Sequence, residues 1–401
     1  MSSPIRVLFI VEDITLAQVV RLVTLAKTLD PDRYEVHFAS AHFDDHIFRD
    51  TQFVRHTIFT VDAKEAFRRL EKGKRLYKEQ VLARYVDEEL ALFRGVRPRV
   101  VVGDLRFSLS VSTAHARIPY AALINAYWSR AMEREEFPLP DHPIVNLLGE
   151  KLAGRYFPKA LPRVLEHFAA PVNRLRKRYG LSPVGDLIDV LMYGDRTMFP
   201  DVPLLTPLRE QALHEVFLGP VLWEPKTALP DWWMRPLPSG PSAYVTFGSS
   251  GRLDRMPIAI AGLRKLNIPL MVATAGRVDP ARLEPPILAA KFLPGGDAAK
   301  RASFVVCNGG SSTAYQALAQ GRPVLGIASN LDQYLAMTAV RDAGAGILLR
   351  ADSLTPEKVE AAARTLIDDT KYQLSARRVA RALRSYDCGE RFGGVLRELG
   401  A

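Results

Sequence analysis

The segment Val305-Val306-Cys307-Asn308-Gly309-Gly310-Ser311-Ser312-Thr313-Ala314-Tyr315-Gln316-Ala317-Leu318 holds the residues with the most specific chemistry. A buried strand ends at Cys307, two glycines make a tight turn, and hydroxyl residues open a helix, with Ser311, Ser312 or Thr313 suited to cap it. The free amides and dipole at such a helix start form an anion site without a lysine. Gly309 and Gly310 let a phosphate approach the backbone closely. Gln316 lies one turn beyond Thr313 on the same face, within reach of a sugar attached to that phosphate. The competing reading is an ordinary capped helix after a strand. Two further segments favour the anion site. Thr246-Phe247-Gly248-Ser249-Ser250-Gly251 is a second strand ending in a glycine-serine turn suited to a phosphate. After Gly321-Arg322-Pro323 and the strand that follows it, Asn330-Leu331-Asp332-Gln333 places Asp332 and Gln333 where a helix should start. An acceptor and an amide there suit sugar hydroxyls, and the competing reading is an aspartate N-cap.

Alternating strands and helices are needed to position these turns. Arg6–Val11 is a near-continuous apolar run, as expected of a strand covered on both faces. A helix over Gln18–Leu29 and strands over Tyr34–Ala39, Val100–Val102 and Tyr120–Ile124 follow, with a helix over Ser108–Ala116. The pattern restarts with strands at Ala243–Phe247, Leu270–Ala273, Phe304–Cys307 and Val324–Ile327, separated by helices such as Thr313–Gln320 and Gln333–Ala343. This β-α-β alternation predicts two α/β domains, each a doubly wound, Rossmann-like parallel sheet, facing a cleft where ligands meet the carboxyl ends of the strands. The proline-dense stretch from Pro200 to Pro241 reads as the connection. Domains are expected over 1–215 and 216–385, with a helix over 386–401 packing back on the first.

Composition narrows the function. The chain has 401 residues, 54 Lys and Arg against 44 Asp and Glu, and a formal charge of +10, which suits an anionic ligand or surface. Two cysteines, Cys307 and Cys388, exclude a disulfide framework and fit a reducing cytoplasm. No apolar run approaches the ~20 residues of a spanning helix, and Val7–Val11 runs into Glu12-Asp13, unlike a secretory signal. Histidines at metal-ligand spacing are absent, and Asp30-Pro31-Asp32 reads as a turn, so no metal and no cofactor are expected. No nucleic-acid-binding signature accompanies the charge.

Taken together, the motifs resemble the donor-binding half of UDP-glycosyltransferase-like enzymes of the GT-B fold, the group that includes macrolide and other bacterial natural-product glycosyltransferases. That family's pattern is His-Gly-Gly-x-x-Thr, Glu-Ala-Leu, Gly-x-Pro and Asp-Gln. This sequence has Asn308-Gly309-Gly310-Ser311-Ser312-Thr313, Gln316-Ala317-Leu318, Gly321-Arg322-Pro323 and Asp332-Gln333 in the same order and spacing. The resemblance implies that Gly309, Gly310, Ser312 and Thr313 hold a diphosphate, with Gly248, Ser249, Ser250 and Ser311 beside it. Gln316 would face the ribose, Asp332 and Gln333 the donor sugar, and Phe292 would stack on the base. Asn308 and Gln316 depart from the family's histidine and glutamate.

The reaction implied is inverting, metal-independent transfer of a sugar from a UDP- or dTDP-linked donor to a hydroxyl on a small molecule or lipid. A general base removes the acceptor proton, and helix amides stabilise the leaving diphosphate. In the family the base is often a histidine after the first strand. Ala17-Gln18-Val19 stands over that position, and Gln18 cannot act as a base. Asp104 matches the family's orienting aspartate, and Asp13 is the carboxylate expected to serve as base, with a helix cap as its competing role. Gln18, Asn125, Tyr127 and Trp128 are expected on the acceptor side. Basic, apolar-interleaved stretches at Lys64–Arg99 and Lys151–Arg178 suit either a solvated face or peripheral contact with an anionic membrane. Alternative functions are a catalytically inactive partner of another glycosyltransferase and a nucleotide-sugar epimerase.

Overall fold

In the computed structural model, which describes residues 4–401 other than 135–136, 140, 142–144, 146–148, 226, 249–250 and 284–285, the chain divides into two units. The first takes Met1–Arg134, Gly154–Trp223 and Tyr386–Ala401, and the second takes Glu135–Ala153 and Glu224–Ser385.

The first unit is built on seven strands: β1 (Ile5–Val11), β2 (Tyr34–Ser40), β3 (Val54–Thr57), β4 (Val100–Asp104), β5 (Tyr120–Leu123), β6 (Arg196–Phe199) and β7 (Glu215–Phe217). They lie in the order β3-β2-β1-β4-β5-β6-β7, all parallel. Val7 to Val11 are fully buried because helices cover both faces. On one face the helix Leu16–Ala26 lays Val19, Val20, Leu22, Val23, Leu25 and Ala26 on the sheet. The same core takes Phe392, Val395 and Leu396 from the helix Cys388–Glu398. Phe9 stands between Phe38 and Phe392, with ring centroids 6.0 and 5.9 Å away. Each such side chain contributes about 1.5–3 kcal/mol on burial.

The second unit has six parallel strands: β8 (Ala243–Thr246), β9 (Leu270–Ala273), β10 (Leu288–Ala290), β11 (Phe304–Cys307), β12 (Val324–Ala328) and β13 (Gly346–Arg350), in the order β10-β9-β8-β11-β12-β13. Its principal core packs the helices Met256–Arg264 and Pro356–Asp368 on β8, β9, β11 and β12.

In each sheet the direction of strand winding reverses once, between β1 and β4 and between β8 and β11. A crevice opens at the carboxyl ends of the strands at such a point.

Three sequence expectations need correction. A boundary at 215/216 would cut β7, whereas the first unit continues to Trp223. The helix Ser311–Ala319 is entered through Gly310, with no side-chain cap, so Ser311, Ser312 and Thr313 lie inside its first turn. Asn330, not Asp332, caps the helix Leu331–Asp342, its side chain accepting the Gln333 N–H at 3.0 Å.

Candidate active site

In the second unit, Thr246 and Cys307 are register partners at the ends of β8 and β11, so the loops that follow them share one crevice. Close approaches at glycines bring four turns together there. A Cβ on Gly251 would stand 2.3 Å from the Phe247 carbonyl and 2.8 Å from Asn308 Cβ, so the loop after β8 lies against the turn after β11. Arg277, from the loop after β9, donates to the Gly251 carbonyl at 2.6 Å and holds that loop. Gly248 has φ +55° and open space at its Cβ position. Ser249 and Ser250 lie outside the described residues.

The two central glycines differ in kind. Gly309 has φ +79°, and a Cβ on it would meet Met337 at 2.9 Å and the Gln333 carbonyl at 3.5 Å, so it fits the turn onto the helix that carries Asp332 and Gln333. Gly310 has φ −67°, and among the described residues a Cβ on it would meet only the Asn308 side chain, at 3.4 Å. Neither backbone conformation nor packing calls for glycine at 310. Its small size keeps the first turn of the helix Ser311–Ala319 open to a ligand, and unbonded N–H groups and the positive end of the dipole face that space. Buried Asn308 supports the turn, its Oδ1 accepting the Gly310 N–H at 3.3 Å. Ser312 and Thr313 are half-buried beside it.

Gln316 Oε1 lies 2.3 Å from where a Cβ of Gly295 would stand, which brings it against the turn that opens the helix Gly295–Arg301. Glu224 reaches the same turn, accepting the Gly296 N–H at 2.7 Å, and burial raises its carboxyl pKa. Phe292, just after β10, keeps 40 % of its surface exposed and lies beside Gly276. Gln333 is buried, and its Oε1 accepts from the Ser329 N–H at 2.9 Å and its hydroxyl at 3.1 Å, so its amide nitrogen is the end left for a ligand. Half-buried Asp332 precedes it in the first turn of that helix. Expected donor residues from four strand ends therefore stand around one crevice. Glu224 and Arg277 were missed. Arg277 sits in a Gly-Arg turn directly after a strand, a signal that was legible; Glu224 carries none.

In the first unit Val11 and Asp104 are register partners, so the Glu12-Asp13 loop begins beside Asp104. Asp104 is fully buried and held by Arg21, with Nε donating at 3.0 Å and Nη2 at 2.8 Å to its two oxygens. Arg21 Nη1 donates to Asn125 Oδ1 at 2.7 Å, and Asn125 Nδ2 donates to Asp201 at 3.0 Å. The expected pairing of Asp104 with a base is thus taken over by an arginine. Asp13 instead faces the loop after β2. Its Oδ2 accepts from the Ser40 hydroxyl at 3.2 Å and the His42 N–H at 3.1 Å, and lies 3.0 Å from His42 Nδ1. His42 was not expected from the sequence, although a histidine directly after the second strand is visible in it.

Glu12 turns inward. Its carboxylate accepts from the Tyr85 hydroxyl at 2.9 Å and pairs with buried Arg106 at 3.4 Å, and burial lifts its pKa to about 7. Arg106 also donates to Glu89 at 2.8 Å, completing a sealed polar network. Gln18 is buried, with Oε1 accepting the Thr15 N–H at 3.0 Å as a helix cap. Asn125, Tyr127 and Trp128, expected on the acceptor side, are at most 8 % exposed and pack inside the unit. Among the described residues no group of three or more His, Cys, Asp or Glu side chains is arranged to hold a metal ion.

Residues 264–398 match the family described as erythromycin biosynthesis protein CIII-like (EryCIII-like), C-terminal domain. The PGL/p-HBAD biosynthesis glycosyltransferase of Mycobacterium tuberculosis (strain H37Ra) is 40% identical over 378 residues, covering 94% of this chain and 88% of its own length. The PGL/p-HBAD biosynthesis rhamnosyltransferase of Mycobacterium bovis (strain BCG Pasteur) is 41% identical over the same span, covering 84% of its own length. The chain belongs to the glycosyltransferase family of these PGL/p-HBAD biosynthesis enzymes. Solved structures agree on the fold of this glycosyltransferase, which is GT-B. The spinosyn forosaminyltransferase SpnP superimposes with a TM-score of 0.70 at 16% identity over the whole of both chains. The glycosyltransferase VinC, solved in complex with dTDP, gives 0.69 at 18% identity over 99% of this chain and 100% of its own.

Proposed function

We propose that this glycosyltransferase transfers a sugar from a nucleoside diphosphate donor to an acceptor hydroxyl with inversion at the anomeric carbon. The observation that carries the donor side is Gly310, a glycine required by neither φ nor packing at the mouth of an uncapped helix. The diphosphate would take the amides of that first turn and the hydroxyls of Ser312 and Thr313, with Gly248 and Gly251 facing it across the crevice. Gln316 would meet the ribose, Phe292 the base, and Asp332 with the Gln333 amide the sugar. Charge building on the leaving diphosphate meets fixed N–H dipoles, which need no reorganisation during the reaction. On this reading a divalent cation is not needed for departure, and chelators should leave turnover unchanged.

The relatives' names make rhamnose the first sugar to test, and the dTDP held by VinC makes dTDP and UDP the first nucleotides. The same relatives, named for PGL/p-HBAD biosynthesis, favour an acceptor from that pathway. Thermal shift with UDP, dTDP, GDP and ADP tests the reading. A ligand at about 100 times its dissociation constant adds about 2.7 kcal/mol to the folded state. A selective response to one diphosphate supports the assignment, and no response to any of them overturns it.

For the acceptor we favour a lipid-linked molecule presented at a membrane surface. Along the helix Glu150–Arg178, Leu152, Tyr156 and Val164 are exposed among Lys151, Arg155, Lys159 and Arg163. Among the described residues no helix is long and apolar enough to cross a membrane. Sedimentation with phosphatidylglycerol vesicles, but not with phosphatidylcholine vesicles, is the expected result; no pelleting with either would remove membrane contact from the reading.

A further inference from the structure

We propose that His42 is the general base of the transfer and that Asp13 is its positioning residue. The inference rests on the glycosyl-transfer reading above and names the group that replaces the histidine missing at Gln18. Besides Asp13, the residues at or just past the carboxyl ends of β1, β2 and β4 that could take a proton from an acceptor are Glu12, His42 and Asp104, and geometry separates them. Asp104 is fully buried and held at both oxygens by Arg21. Glu12 is 1 % exposed and closed in by Tyr85 and Arg106, out of reach of an acceptor. His42 is the third, with 86 % of its side chain exposed and one ring nitrogen fixed.

Asp13 Oδ2 receives the His42 main-chain N–H at 3.1 Å and lies 3.0 Å from Nδ1 of the same residue. Its neighbour Ser40 donates to that oxygen at 3.2 Å. A carboxylate oxygen only accepts, so in the neutral ring a proton on Nδ1 matches it and leaves Nε2 with its lone pair, the tautomer a base requires. His42 also lines an open groove of about 870 Å³ whose wall mixes apolar Ile58, Phe59 and Leu92 and the hydroxyls of Thr57 and Thr60 with the charged side chains of Arg55, Arg84 and Glu88, a surface for an acceptor that carries both apolar and polar groups. The other histidine in that groove, His56, has its Nε2 2.8 Å from His37 Nδ1 and is already engaged.

In the step proposed, the acceptor O–H bond breaks and its proton passes to His42 Nε2. The oxygen lone pair forms the new bond to the anomeric carbon, and the bond from that carbon to the diphosphate breaks with its electron pair leaving on the phosphate oxygen. Asp13 stabilises the imidazolium formed.

The test combines turnover, donor binding and the tautomer. Nucleoside diphosphate release from UDP- and dTDP-sugars is followed with water and with a series of phenols of graded acidity as acceptors. H42Q should lower kcat by about 10²–10⁴-fold while nucleotide dissociation constants stay at the wild-type value. Its deficit should shrink as the phenol becomes more acidic, which a loss of structure would not produce. D13N should lower kcat at least tenfold with the same acidity trend. Nitrogen-15 spectra of the imidazoles should show His42 as the Nδ1-protonated tautomer in the wild type and a changed tautomer in D13N. Wild-type kcat in H42Q, or an Nε2-protonated His42, overturns the inference and leaves the transferase reading standing if nucleotide binding persists. Neither binding nor release in the wild type overturns the transferase reading, and the base with it.

Discussion

Arg21 holds Asp104 through two parallel hydrogen bonds of 3.0 and 2.8 Å, both partners being buried. The planar guanidinium matches the carboxylate edge to edge, and its remaining nitrogen ties Asn125 into the same network. Removing the cation would leave a buried carboxylate without its counter-charge, at a cost of about 3–5 kcal/mol. At about 2–4 °C per kcal/mol for a domain near 200 residues, R21A should lower Tm by roughly 6–20 °C. Calorimetry checks this, and a shift below about 3 °C would mean the network tolerates the loss.

Gly309 and Gly310 should respond in opposite ways. Gly309→Ala places a Cβ in a left-handed backbone and against Met337, so it should destabilise the second unit by at least about 1 kcal/mol. Gly310→Asp meets no packing obstacle among the described residues but sets a carboxylate at the proposed phosphate position. It should melt close to the wild type and lose the nucleotide-induced thermal shift altogether. Normal nucleotide binding by G310D would move the donor site elsewhere.

Phe292 leaves a large part of its ring in solvent, so Phe292→Ala should leave the melting temperature almost unchanged. If the ring stacks on the base, nucleotide binding should weaken by about 1–3 kcal/mol. Titration calorimetry with the diphosphate that binds wild type measures this directly.

Glu12 gives the first unit a dependence on pH. Its carboxyl titrates near 4.5 in an unfolded chain and at about 7 in the fold, where burial outweighs the help of Arg106. Between those values the folded state keeps a proton that the unfolded chain has released. The folded state binds more protons, so stability falls as pH rises through the window and levels off above it. The total for this group is about 3 kcal/mol. Glu12→Gln should flatten that slope, a comparison made by melting both proteins from pH 4.5 to 7.5.

Much of this architecture is legible in the sequence because buried parallel strands read as continuous apolar runs, as in Val7 to Val11 and Phe304 to Cys307. Several of the strands that escape notice are short or polar, although β13, Gly-Ile-Leu-Leu-Arg, is neither. β3 reads Val-Arg-His-Thr at a sheet edge, and β7 is three residues in a proline-dense stretch. The donor turns are legible because their glycines and hydroxyls are contiguous. Side chains that meet across long loops are not: Arg21 and Asp104 are 83 positions apart, and Asp13 and His42 are 29 apart. Aromatic residues near a strand end mislead in the other direction. Tyr127 and Trp128 follow β5 as a binding loop would, yet the chain turns them into the core.

The helix Cys388–Glu398 supplies Phe392, Val395 and Leu396 to the core formed by β1 and the helix Leu16–Ala26. During synthesis on the ribosome, at about 5–20 residues per second, β1 emerges long before this partner is made. The first unit must therefore wait with part of its apolar surface uncovered, while the strands β8 to β13 can pair as soon as they emerge. In this chain the half that is translated first is completed last.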